Sequence, residues 1–289
     1  MLDYHLHLWP HDQRAGVPTL DQLAAYCDRA AAQGVNEIAL TEHFHRFVQA
    51  EPLAGWWNGD PDQALARHME RYWRWHATAD LDVYVETVLE AKAAGLPVVL
   101  GLEVDHYAGQ MDRVSAILDG YPFDVLLGSV HWIGAWGLDD IDSEMAMAEW
   151  TSSTRGVERA WEQYTSALEE LAASGACDVL AHPDLCKVAG HRAAVPEEFY
   201  DRMAEAAAAS GMSAEVSSAG WRKPAGEEYP APPLLARFRA RGVGVTTASD
   251  AHELPTVAER SADLRAIVTA AGYDSLTAFH SRTPTRVPI

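Results

Sequence analysis

Apolar residues along this chain fall into two rhythms: short, β-branched runs that suit buried strands, and longer stretches with an apolar residue every three or four positions that suit amphipathic helices. Strands are expected over residues 2–7, 38–40, 97–103, 124–131, 178–182, 213–216 and 243–248. Helices are expected over residues 20–33, 81–94, 110–119, 157–174, 196–210, 234–240 and 262–271. Thr19 and Gln22 have the spacing of a capping box, Pro196 sits where a helix starts, and Gly34, Gly95, Gly175 and Gly211 stand where helices stop. Seven strands, each followed by helix, predict a parallel sheet and its closure into an α/β barrel. With no linker, repeat or low-complexity segment, residues 1–289 read as a single domain. One stretch breaks the alternation. Residues 44–80, with Trp56, Trp57, Trp73 and Trp75, form an aromatic-rich excursion expected either to cover a pocket or to pack on the barrel rim.

Chemistry-bearing residues gather where the strand-like runs end. His5 and His7 are two apart and therefore share a face of an extended strand, while His43, Glu103, His131, His182, Asp250 and His252 follow later apolar runs. Taken singly, a histidine at a strand end is most often a hydrogen-bonded structural residue. Together at one barrel mouth, eight imidazoles and carboxylates would leave buried polar groups uncompensated unless cations neutralised them. Nitrogen and oxygen donors without thiolate suit zinc, iron or manganese alike. Eight donors exceed what one open catalytic site uses, so two or three divalent metal ions are expected, with Glu103 as the bridging carboxylate. The carboxyl end of a barrel's strands is also where such folds carry active sites.

Composition narrows the partners. Against 42 acidic residues stand 22 Lys and Arg, a formal net charge of −20, which argues against a nucleic-acid groove. At 48% hydrophobic and 22% charged the chain has the makeup of a globular protein. Three cysteines, Cys27, Cys177 and Cys186, make no CxxC pair and fit a reducing, cytoplasmic setting. No apolar stretch approaches membrane-spanning length, and no secretory leader is visible. Oligomeric state is not legible.

The chain resembles the polymerase-and-histidinol-phosphatase (PHP) superfamily, and within it the histidinol-phosphate phosphatases. The resemblance rests on Gly101-Leu102-Glu103-Val104-Asp105, Tyr121-Pro122-Phe123-Asp124, Gly128-Ser129-Val130-His131-Trp132, the segment from Gly134 to Asp139, and Leu180-Ala181-His182-Pro183-Asp184-Leu185. It implies a distorted (β/α)7 barrel with a trinuclear site at the C-terminal ends of the strands. By that pattern His5, His7, Glu103 and Asp250 hold the first metal, Glu103, His131 and His182 the second, and His43 and His252 the third. The family often places a further third-metal histidine several residues beyond the first pair; here His11 comes early and Gln13 follows, so either His11 reaches by a different loop path or the third metal is poorly held. His45, His68, His76, His106, His191 and His280 are expected to be structural.

Phosphate recognition is expected from Arg222 and Lys223, in an Arg-Lys-Pro that the histidinol-phosphatase pattern shares; guanidinium offers a planar, bidentate fork for phosphate. Lys187, five residues after His182, is a second candidate cation, and Trp132, Trp136 and Asp139 are candidates for the amine and imidazole of histidinol. The expected chemistry is hydrolysis of a small phosphomonoester, foremost L-histidinol phosphate, by a metal-bridging hydroxide. His5, His7, Glu103, His131 and Asp250 then form the catalytic set, with Arg222 stabilising the transferring phosphoryl group. The alternative within the family is another phosphomonoester or a nucleotide or phosphodiester substrate. A metal-dependent amidohydrolase shares the barrel and the early histidine pair but not the late Asp250-x-His252, and a non-enzymatic barrel would have lost ligands.

Overall fold

Six of the apolar runs after the first pair laterally in chain order, and the first closes the ring. The structure, a computed structural model, describes residues 1–289. Its strands are β1 (Leu2–Asp3), β2 (Glu37–Leu40), β3 (Val98–Asp105), β4 (Val125–Ser129), the small hairpin β5 (Trp132–Ile133) and β6 (Trp136–Gly137), then β7 (Val179–Leu180), β8 (Ser213–Ser217) and β9 (Val245–Ala248). Seven of them make one sheet in the order β1-β2-β3-β4-β7-β8-β9, with every neighbouring pair parallel. Between β9 and β1 the amides of Tyr4, His7 and Asp250 donate to the carbonyls of Thr247, Ala251 and His5 at 2.9, 2.8 and 2.9 Å, which wraps the sheet into a barrel.

Strand alternation explains how the site arises. Along β3, Leu102 and Val104 pack in the large core of 69 buried residues between sheet and helices. The opposite face begins at Val99, in a smaller cluster with Val125, Leu127 and Val179, passes Gly101, and ends in Glu103 and Asp105. On β4 the same face runs from Val125 and Leu127 to Ser129, with His131 just beyond. The barrel interior is thus apolar at one end and carboxylate- and imidazole-lined at the other.

The helices are α1 (Leu20–Ala32), α2 (Gln63–His76), α3 (Leu81–Ala93), α4 (Met111–Leu118), α5 (Glu144–Glu149), α6 (Gly156–Ser174), α7 (Pro196–Ser210), α8 (Pro232–Ala240) and α9 (Ser261–Ala270). At α1 the Thr19 hydroxyl accepts the Gln22 amide at 3.2 Å, but the Gln22 side chain donates to the Leu8 carbonyl at 3.0 Å. Half of the expected capping box is spent on tying α1 to the loop that leaves His7. Gly175 and Gly211 end α6 and α7 with φ of 68° and 77°.

The aromatic excursion is three short 3-10 turns and α2, which Asp62 caps by accepting from the Ala64 and Leu65 amides. Trp57, Trp73, Leu65 and Met69 are buried in the large core. The excursion both packs on the rim and supplies His68, Met69 and Tyr72 to a cavity at the mouth.

A C-terminal hairpin, β10 (Ser275–His280) with β11 (Thr283–Pro288), lies beyond the last expected element. β11 is exposed throughout and carries two prolines, so it has no apolar period to read. The hairpin covers the apolar end of the barrel: Leu276 and Phe279 join the smaller core, and the Phe279 amide donates to the Tyr4 hydroxyl at 3.2 Å. The Arg282 guanidinium pairs with Asp178 at 3.0 Å, and the Arg282 amide donates to the Asp124 carbonyl at 2.8 Å. Asp124 and Asp178 each precede a strand, so these contacts seal the end opposite the site.

Candidate metal centre

Two donor sets share Glu103, which is fully buried. Its Oε2 lies 3.3 Å from His5 Nε2 and 3.5 Å from His7 Nε2. Asp250 Oδ1 is 3.8 and 3.4 Å from the same two nitrogens. The other oxygen, Oε1, lies 3.0 Å from His182 Nε2 and 3.5 Å from His131 Nε2. A third group forms beside them, with His43 Nε2 3.5 Å from His252 Nε2 and the His11 ring centred 3.9 Å from that of His252. The structure thus places the His11 ring beside His252 at the edge of this group. Non-glycine residues hold left-handed backbone here: His182 has φ of 27° and Asp250 of 50°, strain of the sort that gathers at functional sites.

The donor chemistry fits divalent cations. His5 and His7 turn Nε2 atoms toward each other at 3.0 Å, and His43 Nδ1 stands 2.7 Å from Glu103 Oε2 although neither atom has a hydrogen-bond partner. Two buried imidazole nitrogens turned on each other, and a buried nitrogen–oxygen pair left unsatisfied, are costly unless a shared cation takes their lone pairs. The titration pattern says the same. Burial pushes the Glu103 carboxyl up, yet His5, His131 and His43 overcome it and hold it well below the usual range. Burial lowers His131, but Glu103, Asp105 and Asp139 outweigh it and carry the imidazole up to about 10. The cluster is a cation-seeking environment.

Behind these donors stand three carboxylates that the sequence reading left out of the site. Glu215 accepts the His182 amide at 2.7 Å through Oε1 and lies 2.8 Å from His5 Nδ1 through Oε2. It is close enough to His5 and His182 to complete a ligand trio, and each of its oxygens already holds one of these two residues in place. Asp105 holds His131 Nδ1 at 2.6 Å and His45 Nδ1 at 3.4 Å. Glu42 accepts the His43 and Leu8 amides at 3.0 and 3.1 Å and lies 3.5 Å from His7 Nδ1. Burial raises Glu42, but Arg46 and His7 bring it down to about 2. Arg46, itself fully buried, donates to the carbonyls of Trp9 and Pro10 and fixes the loop before His11.

A cavity of about 260 Å³ opens over the donors, with Arg222, Lys223 and Tyr229 on its wall. A second lobe of about 170 Å³ shares His11, His43, His131, Asp139 and Lys223 with it and adds Tyr72, Trp132, Asp140 and Asp142. Arg222 is already a brace: it pairs with Glu259 at 2.8 Å and donates to the carbonyls of Ser249 and Asp250 at 2.8 and 2.9 Å. Of its five donors, the Nε–H and one Nη1–H have no partner.

Two expected substrate contacts fall elsewhere. Lys187 is fully buried, with its ammonium 2.8 Å from Asp184, 2.7 Å from Glu227 and 2.7 Å from the Glu228 carbonyl, so it is consumed by acceptors behind the cavity wall. Trp136 is fully buried against Trp150 and donates to the Ala146 carbonyl at 2.9 Å, because the tight β5–β6 turn faces it away from Trp132. Of the other histidines, His45 and His68 line the second lobe, whereas His106 pairs with Glu170 at 3.1 Å on α6.

Fold and site together define a parallel α/β barrel with a histidine and carboxylate cluster suited to several divalent cations at the carboxyl ends of its strands. Residues 5–219 match the PHP domain family, and the chain belongs to that family. A probable histidinol-phosphatase of Deinococcus radiodurans is 29% identical over 283 residues, which cover 98% of each chain. Among solved structures, histidinol phosphate phosphatase of Lactococcus lactis, complexed with zinc, L-histidinol and phosphate, is similar with a TM-score of 0.70, 19% identity and 98% of each chain covered. A putative histidinol phosphatase of Listeria monocytogenes is similar with a TM-score of 0.73 and 16% identity, over 91% of this chain and 99% of that one.

Proposed function

We propose that this chain is a metal-dependent phosphomonoesterase whose substrate is L-histidinol phosphate, hydrolysed to L-histidinol and phosphate, with residues 1–289 acting as one barrel unit. The observation that carries the reading is the split of Glu103, one oxygen toward His5, His7 and Asp250 and the other toward His131 and His182, beneath a cavity bearing Arg222 and Lys223. In this reading His5, His7, Glu103 and Asp250 hold one cation, Glu103, His131 and His182 a second, and His43, His252 and His11 a third. Bound cations supply a Lewis acid for the phosphoryl oxygens and a water acidic enough to attack near neutral pH.

The protein's own residues do the rest. Glu215, Asp105 and Glu42 fix the imidazoles of His5, His131 and His7 so that each presents one defined nitrogen to the cluster. Lys223 and the free donors of Arg222 take the phosphate's outer oxygens. The second lobe receives the alcohol, its flat ring against Trp132 and Tyr72 and its ammonium toward Asp139 and Asp140. At about 170 Å³ that lobe is below the roughly 300 Å³ at which pockets for drug-sized ligands begin, which favours a small amino alcohol over a nucleoside. The Deinococcus relative's name and the ligands in the Lactococcus structure support the same substrate.

The test is metal analysis of purified protein together with phosphate release from histidinol phosphate, other phosphomonoesters, a nucleotide and a phosphodiester. Histidinol phosphate is expected to give the highest kcat/KM. No release from any phosphomonoester by metal-loaded protein refutes the reading, and a nucleotide or phosphodiester as the best substrate replaces it with the other.

A further inference from the structure

Resting on that phosphatase reading, we propose that Tyr229 touches the substrate, donating its phenolic hydrogen bond to the phosphoryl group, and that Lys187 is the residue that positions it. Tyr229 is on the wall of the larger cavity and its ring stands 6.2 Å from that of His182. Only 1% of the residue is exposed, yet its hydroxyl has no partner in the protein. Buried phenols nearly always find one. Asp184, the carboxylate that bears on it most, gives Oδ2 to Lys187 and to the Ala231 amide, both at 2.8 Å, and its Oδ1 is likewise without a partner, so no hydrogen bond joins it to the phenol. The residue borders the cavity above the donor cluster.

The ring is held from two sides. Tyr229 exchanges backbone hydrogen bonds with Ser217 at the end of β8, at 2.6 and 3.0 Å, which anchors the loop carrying Arg222 and Lys223 to the barrel. Beneath the ring, the Lys187 ammonium lies 5.0 Å from its centroid, within cation–π range, and its acceptors Glu227 and the Glu228 carbonyl are the two residues just before Tyr229. Lys187 thus ties the segment 227–229 to the short turn after His182. Burial keeps the phenol protonated far above neutral pH, so it acts as a donor and carries no charge to repel phosphate. An anion held by a rigid neutral donor, Lys223 and the spare Arg222 N–H groups is bound on more than one side.

The experiment compares Tyr229→Phe with the wild type in full-length, metal-loaded protein, reading kcat/KM for histidinol phosphate, the inhibition constant of inorganic phosphate, metal content and melting temperature. A hydrogen bond to a charged group is expected to be worth about a ten- to hundredfold loss in kcat/KM and a matching weakening of phosphate inhibition. Metal content and melting temperature are expected to hold. Lys187→Met in both backgrounds completes a double-mutant cycle, in which the Lys187 effect is expected to shrink severalfold once the hydroxyl is gone. Unchanged kinetics in Tyr229→Phe overturn the proposal while leaving the phosphatase reading intact, as does a loss that merely tracks lost metal. A fully additive cycle removes Lys187 from the positioning role. A wild type inert toward every phosphomonoester removes both readings.

Discussion

Replacing Asp105 with Asn probes whether the carboxylates behind the donors set the chemistry in front. Asp105 is fully buried, with Oδ1 2.6 Å from His131 Nδ1 and Oδ2 3.4 Å from His45 Nδ1. Burial alone would raise its pKa, but His131 and His45 reverse this and hold the carboxyl below its ordinary value. The carboxylate accepts from Nδ1, so that when a cation replaces the other proton the lone pair of His131 falls on Nε2, the nitrogen that faces Glu103. An asparagine of the same shape offers an amide donor as readily as an acceptor, so the tautomer is no longer dictated. Two independent magnitudes agree. A charge-assisted hydrogen bond contributes about 1.5–3 kcal/mol, and partners of metal-binding histidines typically change affinity or activity by about 10- to 100-fold, or roughly 1.4–2.8 kcal/mol. Asp105→Asn is therefore expected to lower zinc affinity, measured by competition with a chromophoric chelator, and kcat/KM by about one to two decades, with the circular dichroism spectrum unchanged. Wild-type metal affinity and turnover in Asp105→Asn would refute the claim that Asp105 sets the His131 tautomer.

Three further outcomes are expected. Arg222→Ala should lower both kcat/KM for phosphomonoesters and metal occupancy, since Arg222 also grips the Ser249 and Asp250 carbonyls of a left-handed turn; a loss of turnover with full metal content would confine it to phosphate. His106→Ala should leave metal content and kcat within about twofold, because its partner is Glu170 on α6 and not the cluster, and a large loss of either would contradict that placement. At the barrel's closed end, burial raises the Asp124 carboxyl, but the Lys92 ammonium and the Leu100 and Ser281 amides leave it below its ordinary value. A depressed carboxyl stabilises the fold above its unfolded pKa of about 4 and loses that contribution as pH falls through the folded value. Asp124→Asn should cost about 1–3 kcal/mol at neutral pH and flatten the acid limb of a melting-temperature profile, whereas an unchanged limb would assign it to other groups.

What the chain declares about its fold is declared by period. Runs such as 97–103 and 124–131 are apolar because parallel strands are covered on both faces, and they appear as β3 and β4 within two residues at each end. The C-terminal hairpin is silent by the same logic. β11 buries no side chain, and what holds the hairpin is Arg282 reaching Asp178 and Asp124, partners more than a hundred residues away that no local pattern can announce.

The site divides along a similar line. Donors that follow an apolar run, such as His131 after β4, advertise themselves because polarity appears where a buried strand ends. Glu215 sits inside β8, between Ala214 and Val216, where a lone carboxylate looks like an ordinary edge residue until β7 brings the His182 amide to its Oε1 and β1 brings His5 to its Oε2. Lys187 fails in the opposite sense. Its distance from His182 in sequence suggests the cavity, but Asp184, Glu227 and the Glu228 carbonyl hold it by offering three acceptors to a fully buried side chain, where an unpaired ammonium would be costly. The cations on the wall of the larger cavity, Lys223 and Arg222, are by contrast ones the surrounding carboxylates leave incompletely paired. In a chain with 42 acidic residues, Lys187 is a positive charge spent on holding the loops around the site together.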